Sequence, residues 1–314
     1  MDLSIIIVNW KSAGYLAACL DSMVAGPPGA DWECIVIDNA SGDGSAELCA
    51  KNYPFVIFIQ SAENRGFAGA NNLGAARATG ETFLFLNPDT IVKPGALQLL
   101  YKGLMSDPRN GAAGPRLLNR DGSLQTTCVL PFPTIIGDLL DSERLRMATR
   151  SLPFWGIGAL FSKSVAPKNV EALSGASLLV RKSVFEKVRG FSTDYFMYSE
   201  DIDLCAKIRK SGFMVKYVPG SEIVHLGGTS SQLSEKTFFS SVMIKESNRI
   251  LLKKFRGPVY ALLYRLSMGV AAAVRLLLLF IVPSRMIPAK KLARKKWFAI
   301  LQWSAGSGKH VTAV

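Results

Sequence analysis

The chain has 314 residues, of which 49% are hydrophobic and 19% are charged, enough for one large domain or for one domain with an appendage. Its five cysteines are odd in number and lack CxxC spacing, which argues against a disulfide framework and a zinc site and predicts reduced thiols in the cytosol. The first residues lack the basic leader and the cleavage site of a signal peptide.

The charges are distributed unevenly. All 24 Asp and Glu residues lie at or before Glu246, whereas residues 247–314 contain 13 of the 37 Lys and Arg residues. The 24 remaining basic residues balance the acids of residues 1–246, so the net charge of +13 belongs to the tail, residues 247–314. Because these cations alternate with Leu, Phe, Trp and Tyr, the tail is expected to bind an anionic membrane surface and not nucleic acid.

Short apolar runs alternate with helical patterns over the first hundred residues. The runs predict buried parallel strands at 4–8, 34–38, 56–59 and 83–86, and the patterns between them predict helices at 13–23, 44–51 and 68–78. This order predicts an α/β fold with an open, mostly parallel sheet. Ligands of such sheets bind at the carboxyl ends of the strands, so polar residues at those ends are candidate site residues.

Each of these strand ends carries a polar cluster. The clusters are Asn9-Trp10-Lys11, Asp38-Asn39-Ala40-Ser41, Glu63-Asn64-Arg65-Gly66 and Asn87-Pro88-Asp89-Thr90. One such cluster alone is typical of a turn or a helix cap. Four in register favour a ligand site.

The second half of the chain has a weaker pattern. Residues 119–168 lose periodicity and gain prolines, which predicts a long, partly mobile segment over the site. After it we expect a strand at 177–180, a helix at 183–188, a helix at 202–210 and a strand at 214–218 that leads to His225.

Five motifs follow one another in order: SIIIVNW, VIDNASGDGS, NRGFAGANNLGAARATG, FLFLNPDT and YSEDIDLCAKIRKSGF. Together they resemble the family 2 glycosyltransferases with the A-type nucleotide-sugar fold (GT-A), and in particular the bacterial rhamnosyltransferase-like members. The likeness covers roughly residues 3–228. It implies a catalytic domain at 1–246, with a nucleotide-sugar-binding half at 1–118 and an acceptor half at 119–246.

The resemblance implies a nucleoside diphosphate sugar as donor. Asp38 and Asn39 are expected to hold the nucleoside, Arg65 to lie near the base or the diphosphate, and Gly66 to let the backbone approach the ligand closely. Taken alone, the NRGFAG motif also fits a plain helix N-terminal turn. The complete set of implied donor residues is Asn9, Asp38, Asn39, Arg65, Gly66, Asn71, Asn87 and Asp89.

A divalent cation, Mg²⁺ or Mn²⁺, is expected to neutralise the diphosphate leaving group. Family members usually present a D-x-D triad, but this chain has Asn87-Pro88-Asp89, so only Asp89 offers a charged ligand and the metal affinity stays open. The resemblance implies His225 as the second ligand. The alternatives are that Asp89 caps the helix beginning near Pro94 and that His225 is a hydrogen-bonded core histidine.

The acidic pair Glu200-Asp201 is expected to carry the chemistry. The resemblance implies an inverting transfer in which Asp201 is the general base, assisted by Glu200. Acceptor contacts are predicted for Tyr198, Asp203 and Gly175. Alternatively, the acids form a solvated turn that caps the following helix, and Asp203 pairs with Arg181, Lys207 or Arg209.

The apolar segment 259–282 lies between two prolines and is long enough to cross a membrane. Arg265 and Arg275 argue against a span, and their helical positions allow one polar stripe. We therefore expect an interfacial helix, then a basic loop and a short anchor at Trp297–Trp303. A true span, and docking on a partner or a dimer mate, remain alternatives.

These observations predict transfer of L-rhamnose from its thymidine diphosphate donor to a polyprenyl-linked glycan, at the cytoplasmic face of the plasma membrane. UDP-galactofuranose, UDP-hexose or UDP-N-acetylhexosamine are alternative donors. A catalytically degenerate sugar-nucleotide-binding protein is the alternative from another class, and a homo-oligomer is possible. The first strand is followed by NWKSAG, without the glycine-rich loop of a dehydrogenase or a nucleotidyltransferase.

Overall fold

A computed structural model describes residues 1–140, 149, 156–162, 164–227, 236–281 and 290–306. The chain divides into two compact units. The first unit comprises residues 1–132, 150–196 and 200–227, and the second comprises residues 133–149, 197–199 and 228–314.

The first unit is built from short strands and helices. Its strands are β1 (Leu3–Asn9), β2 (Trp32–Asp38), β3 (Val56–Gln60), β4 (Thr82–Leu86), β5 (Thr90–Val92), β6 (Asn110–Leu118), β7 (Val129–Leu130), β8 (Lys168–Asn169), β9 (Ala172–Leu173), β10 (Ser177–Arg181) and β11 (Met214–His225). Its helices are α1 (Ala13–Ala25), α2 (Ser45–Asn52), α3 (Gly66–Arg77), α4 (Ala96–Met105), α6 (Lys182–Lys187) and α7 (Glu200–Lys210). The second unit contains α5 (Ile135–Leu139), α8 (Lys236–Arg256), α9 (Pro258–Ile281) and α10 (Lys290–Ser304).

Within the described residues, nine strands of the first unit form one sheet. Its order is β3-β2-β1-β4-β10-β6-β11-β5, and β8 pairs with β11 at one side. The part from β3 to β4 is parallel, as predicted. The strand β10 enters antiparallel between β4 and β6, and β11 runs parallel to β6 but antiparallel to β5. The strand β7 pairs separately with β9.

The apolar runs form strands because they are buried on both faces of the sheet. In β1 the side chains of Ile5, Ile6 and Ile7 are fully buried, and those of β4 are equally inaccessible. The predicted strands and helices of the first hundred residues are confirmed, with ends that shift by at most two residues. Of the segment 119–168, residues 119–140, 149, 156–162 and 164–168 are ordered into short elements and turns, and the remainder lies outside the described residues.

The second unit begins earlier in the chain than expected. The predicted domain boundary between residues 246 and 247 falls inside α8, which runs unbroken from Lys236 to Arg256. Gly257, at φ 90°, ends α8 in a left-handed conformation, and Pro258 is the first residue of α9. Among the residues that the structure describes, α9 is the one helix that is long and apolar enough to cross a membrane on length and composition alone.

The arginines of α9 point towards α10 and do not form a solvent-facing stripe. The Arg265 guanidinium donates to the carbonyl oxygens of Trp303 and Ser304, at 2.9 and 3.1 Å. The Arg275 guanidinium donates to the Leu139 carbonyl at 2.7 Å and lies 4.2 Å above the Trp297 ring. Trp303 is buried. The segment Trp297–Trp303, expected as a membrane anchor, therefore packs largely inside the second unit. There the Trp297 ring stacks on Arg275, and the Trp303 carbonyl oxygen accepts a hydrogen bond from Arg265.

A buried polar cluster around Asp138 ties α5 to the long helices. Its carboxylate accepts hydrogen bonds from the Asn248 amide at 3.0 Å and from the Tyr264 hydroxyl. The Lys245 ammonium, whose side chain is 10% exposed, lies 3.3 Å away. Since each of these groups has lost its water, the cluster stabilises the unit only while the carboxylate is present.

We expect Asp138→Ala to lower the free energy of unfolding by about 3 kcal/mol, because Lys245 is then left charged and buried without its carboxylate. Urea denaturation followed by circular dichroism measures the change. The matched control is Glu47→Ala, at an exposed carboxylate of α2, which should change stability by less than about 0.5 kcal/mol. An Asp138→Ala protein as stable as the control would show that the cluster contributes nothing.

Candidate active site

The parallel register brings the predicted polar residues to one edge of the sheet. Asn9 lies opposite Asp38 in the β1–β2 pair, and Asp38 lies opposite Gln60 in the β2–β3 pair. Asn87 follows β4, whose Leu86 is paired with Ile7 of β1. The strand ends therefore meet as the sequence predicted.

Asn9 and Asp38 are joined in a buried network. The Asp38 carboxylate accepts hydrogen bonds from Asn9 at 2.9 Å, from the Ser41 backbone N–H at 3.0 Å, and from Gln60 at 2.7 Å. Burial raises the pKa of Asp38, but the hydrogen bonds from Ser41, Asn9 and Gln60 outweigh burial and leave it below its ordinary value. Both carboxylate oxygens are thus engaged by the protein, and the pair holds the loop that follows β2.

Asp43, which the sequence analysis did not single out, completes this loop. Its carboxylate accepts hydrogen bonds from the backbone N–H groups of Ala13 and Ser45, at 3.0 and 3.2 Å, and from the Asn9 amide. It joins the loop after β2 to the start of α1. The sequence signal was present, since an Asp in a loop commonly accepts a hydrogen bond from the backbone N–H two residues on.

Asn39 and Arg65 connect the ends of β2 and β3. The Asn39 side chain accepts from the Arg65 backbone N–H at 2.8 Å and donates to the Asn64 side chain at 2.9 Å. The Arg65 guanidinium lies 3.4 Å from Glu63, and its side chain remains 46% exposed. Arg65 is therefore held by its backbone, while its cationic end stays accessible to an anion.

Gly66 and Asn71 lie at the start of α3. Gly66 has φ 66°, and a Cβ there would lie 2.8 Å from the Phe196 carbonyl oxygen. At this glycine the backbone therefore passes close to another part of the protein, the Phe196 carbonyl group. The buried Asn71 amide donates to the Phe67 carbonyl at 3.0 Å. Both residues fix the local shape of the loop.

The candidate metal site is formed by two segments that are distant in sequence. Antiparallel pairing of β5 with β11 places His225 opposite Thr90. As a result the Asp89 carboxylate lies 3.4 Å from His225 Nε2, and the Asn87 amide nitrogen lies 3.4 Å from the same atom. The side chains of Asp89 and His225 are each 15% exposed. The helix α4 begins only at Ala96, after β5, so Asp89 is not its cap.

Gln125 orients the imidazole. Its amide oxygen lies 2.8 Å from His225 Nδ1, and its amide nitrogen lies 3.5 Å from the His225 carbonyl oxygen. Because an amide oxygen can only accept, this contact uses Nδ1 as the donor and leaves Nε2 as the ring nitrogen that faces the Asp89 carboxylate. Nε2 is therefore the imidazole atom that a shared cation would contact.

The residues present fit a divalent cation that is held partly by other ligands. The described residues contain no cluster of three or more His, Cys, Asp and Glu side chains, so Asp89 and His225 stand as a pair, with Asn87 beside them. A hard cation takes several oxygen ligands and retains water, and the oxygens of a diphosphate can fill the other positions. The Asn in place of the first Asp therefore removes one charge from the site but not the site itself.

The acidic pair lies at the start of α7. The Asp201 carboxylate accepts hydrogen bonds from the backbone N–H groups of Gly175 at 2.9 Å and Ile202 at 2.8 Å, whereas one oxygen of the buried Glu200 has no hydrogen-bond partner. Burial raises the pKa of both carboxyl groups, and the neighbouring Asp201 charge raises that of Glu200 further. Two adjacent acids in such surroundings ionise one at a time, and the backbone donors favour the negative charge on Asp201.

Asp203 was predicted to contact the acceptor, but its environment is that of a buried structural residue. Its side chain is fully buried, and its carboxylate is bonded to Ser192, lies within 3.4 Å of the Tyr195 hydroxyl, and pairs with Lys207 at 3.3 Å. One helical turn of α7 separates it from Lys207, which explains the pair. Asp203 therefore fixes the start of α7.

Gly175 and Tyr198 are the other predicted acceptor residues. Gly175 is buried, and a Cβ there would lie 3.1 Å from the Phe67 ring and 3.4 Å from Asp201 Cβ, so a side chain would crowd the acid. Tyr198 belongs to the second unit and has φ 70°. Its acceptor contact stays a prediction.

The fold of the first unit, with its mostly parallel central sheet, is of the GT-A type. A mannosyltransferase from Pyrobaculum calidifontis, PcManGT, solved with GDP-Man and Mn²⁺, has a similar fold with a TM-score of 0.62. It is 16% identical, and the alignment covers 97% of this chain and 86% of that one. The GalNAc-T7 structure with UDP, GalNAc and Mn²⁺ gives a TM-score of 0.55 at 16% identity and covers 77% of this chain and 48% of that one.

Residues 4–189, more than half of the chain, match the family described as glycosyl transferase family 2, and the chain belongs to this family. It is rhamnosyltransferase-like. Rhamnosyltransferase WbbL of Escherichia coli K12 is 30% identical over 262 residues, which cover 80% of this chain and 92% of that protein. The N-acetylglucosaminyl-diphospho-decaprenol L-rhamnosyltransferase of Mycobacterium tuberculosis is 32% identical over 208 residues, 61% of this chain. The match spans 65% of the mycobacterial protein's length.

We expect Gln125→Leu to weaken Mn²⁺ binding about tenfold, because the imidazole loses the acceptor that fixes its orientation and its hydrogen. Titration followed by electron paramagnetic resonance, with nucleoside diphosphate present, measures the affinity without turnover. Gln98→Leu changes an exposed glutamine of α4 and serves as control. Equal Mn²⁺ affinity in the two variants would contradict the role of Gln125.

We expect the wild type to lose stability as pH rises, because of Glu200, and we expect Glu200→Gln to lack this loss. The pKa of Glu200 is ordinary in the unfolded chain, near 4.5, and higher in the folded protein, so the folded state binds more protons between the two values. The free energy of unfolding of the wild type therefore falls from about pH 4.5 upwards until the folded pKa is passed. Urea denaturation at several pH values should show the gap to Glu200→Gln widening with pH. Glu186→Gln, at an exposed position, should instead stay parallel to the wild type.

Proposed function

We propose that this glycosyltransferase transfers a sugar with inversion from a nucleoside diphosphate donor to a hydroxyl group of a lipid-linked glycan. The observation behind the proposal is the environment of Asp201, a carboxylate held by two backbone N–H groups beside a buried acid. A fixed carboxylate with a raised pKa is suited to take a proton from an acceptor at neutral pH.

In the proposed reaction, Asp201 takes the proton of the acceptor hydroxyl as its oxygen attacks the anomeric carbon. A new C–O bond forms on the face opposite the diphosphate, the bond to the diphosphate breaks, and the configuration at this carbon is inverted. Gly175 and Ile202 keep the carboxylate in place through their N–H groups. Glu200, whose buried carboxyl group is adjacent, limits the pair to one charge.

The diphosphate must leave with its negative charge compensated. We propose that Asp89 and His225 hold a divalent cation, Mg²⁺ or Mn²⁺, which supplies this compensation when it is bound. Arg65, accessible at the neighbouring strand end, adds a second positive charge for the phosphates. Of the remaining predicted donor residues, Asn9, Asp38 and Asn39 support the nucleoside pocket through the loops that they order.

For the donor we propose L-rhamnose activated by thymidine diphosphate. Support comes from likeness to the two rhamnosyltransferases, although a hexosyltransferase of Haloferax volcanii, Agl10, is also 30% identical over 257 residues and covers 80% of this chain and 75% of that one. UDP-galactofuranose, UDP-hexose and UDP-N-acetylhexosamine are therefore the competing donors.

For the acceptor we propose a polyprenyl-diphosphate-linked glycan, presented at the cytoplasmic face of the plasma membrane. The name of the mycobacterial relative specifies a diphospho-decaprenol acceptor, and the cationic tail suits an anionic membrane. A catalytically degenerate, membrane-attached sugar-nucleotide-binding protein is the second candidate, and the Asn87 substitution in the D-x-D triad favours it.

We expect Asp201→Asn to lower kcat about a thousandfold with little change in the donor KM, because the base is lost while donor binding is kept.

Asp89→Ala should raise the Mn²⁺ concentration needed for half-maximal activity. Release of nucleoside diphosphate from a panel of sugar nucleotides, with membrane extract as acceptor source, measures both effects. Asp121→Asn, in an exposed loop, is the control.

Turnover of thymidine diphosphate rhamnose alone would support the proposed donor, and turnover of a UDP-sugar alone would replace it. Binding of a donor without turnover under every condition would favour the degenerate protein. Full activity in Asp201→Asn would eliminate Asp201 as the base.

A further inference from the structure

The outward face of α9 is apolar along its length. Large apolar side chains with exposed fractions between 51% and 71% recur at each turn, namely Val259, Leu262, Leu266, Val270, Val274 and Leu277. At 3.6 residues per turn they fall within an arc of about 120°, and over about 28 Å they form a continuous surface, here called the apolar stripe. Exposure of this extent on one helix marks an interaction site.

The charges of α9 lie on the other side of the helix. Arg265 is bonded to the last carbonyl groups of α10, and Arg275 is bonded to Leu139 and stacked on Trp297. Buried neighbours on the same side, such as Tyr264 and Met268, confirm that this side faces the protein. The apolar stripe is therefore uncharged throughout, although the sequence of α9 contains two arginines.

Charge indicates what covers the stripe. Residues 247–314 contain 13 Lys and Arg residues and no acid, and five of these cations lie in the first two turns of α10. An uncharged apolar face combined with a one-signed cationic segment is typical of helices that lie in the surface of an anionic bilayer. We propose that the apolar stripe of α9 is embedded in the acyl-chain region of an anionic membrane leaflet, with the helix axis parallel to the membrane plane.

The packing of α10 argues against an orientation across the membrane. Arg265 contacts the end of α10, and Arg294, near its start, donates to the Leu279 carbonyl at 3.3 Å, so the two helices run antiparallel. If α9 crossed the bilayer, α10 would cross with it, and its basic turns, which lie beside the C-terminal end of α9, would have to pass through the hydrocarbon core to the far side, where charged side chains are costly to carry. In the parallel orientation α10 lies on the side of α9 that faces away from the acyl chains, so the same cations stay outside the hydrocarbon core.

The orientation rests on the membrane attachment in the proposed function and is independent of the donor and of the base. Flotation with vesicles of phosphatidylcholine and 30% phosphatidylglycerol compares the wild type with Val270→Glu, at the centre of the stripe. The control is Val165→Glu, the same substitution at a valine of the first unit that is 77% exposed. We expect vesicle affinity to fall at least tenfold in Val270→Glu and to be unchanged in Val165→Glu.

Depth measurements test the orientation. The five native cysteines are buried, so single cysteines in place of Leu262, Val270 and Leu277 are labelled selectively with an environment-sensitive fluorophore on the folded protein. Quenching by lipids brominated at different acyl positions should give one depth for all three labels. Depths that change steadily along the helix would overturn the parallel orientation, and labels that stay in water would overturn membrane embedding.

Two further outcomes separate this proposal from its alternatives. If Val270→Glu turns a dimer into a monomer, seen by light scattering, and leaves vesicle affinity unchanged, the stripe binds a second copy of the chain and the proposal fails. Melting temperatures and nucleoside diphosphate release with detergent-dispersed acceptor show whether the variant is folded and active. Loss of vesicle binding with normal transfer in detergent supports the proposal. Absence of transfer in the wild type together with normal vesicle binding of the wild type contradicts only the proposed reaction.

Discussion

The arrangement of the first unit depends on the hydrogen bonding of two strands that return through the sheet. The twelve-residue strand β11 pairs with β6 along one side and with β5 along the other, which fixes His225 opposite Thr90 and hence beside Asp89. The strand β10 lies antiparallel to β4, and the Asn87 N–H bonds the Ala176 carbonyl just ahead of it. Without these pairings Asp89 would not lie beside His225, and the segment of Gly175, which bonds Asp201, would not be held against β4.

The polar residues at the sheet edge divide into two groups according to burial. Asn9 and Asp38 are buried, and their hydrogen-bonding groups are engaged within the protein, so they order the loops. The side chains of Asp89 and His225 are each 15% exposed, and the Asp201 carboxylate is held by two backbone N–H groups, so each of these groups is fixed by its neighbours. This division gives a site in which rigid, desolvated supports hold a few reachable charges, the condition under which electrostatic groups act most strongly.

The arginines of α9 face the interior of the second unit, whereas the charged side chains of an ordinary soluble helix face water. Arg265 and Arg275 are directed inwards, where the carbonyl groups and aromatic rings of α10 and the end of α5 stabilise them. Inward cations leave large apolar side chains on the outer face of α9. Exposure of these side chains to water is unfavourable, and their burial at an apolar boundary is favourable. The relatives of this chain include a transferase named for a lipid-linked acceptor.

The sequence by itself determined the strands and helices of the first hundred residues, the meeting of four polar clusters at one sheet edge, and the family, because periodicity and motifs are local. It also gave the angle between Arg265 and Arg275 around their helix. It did not determine which side of the helix faces the protein, that Asp203 is buried, or that Gln125 contacts His225 one hundred residues away. Those features depend on contacts between distant segments, and only the tertiary structure decided them because packing selects the partner of each side chain.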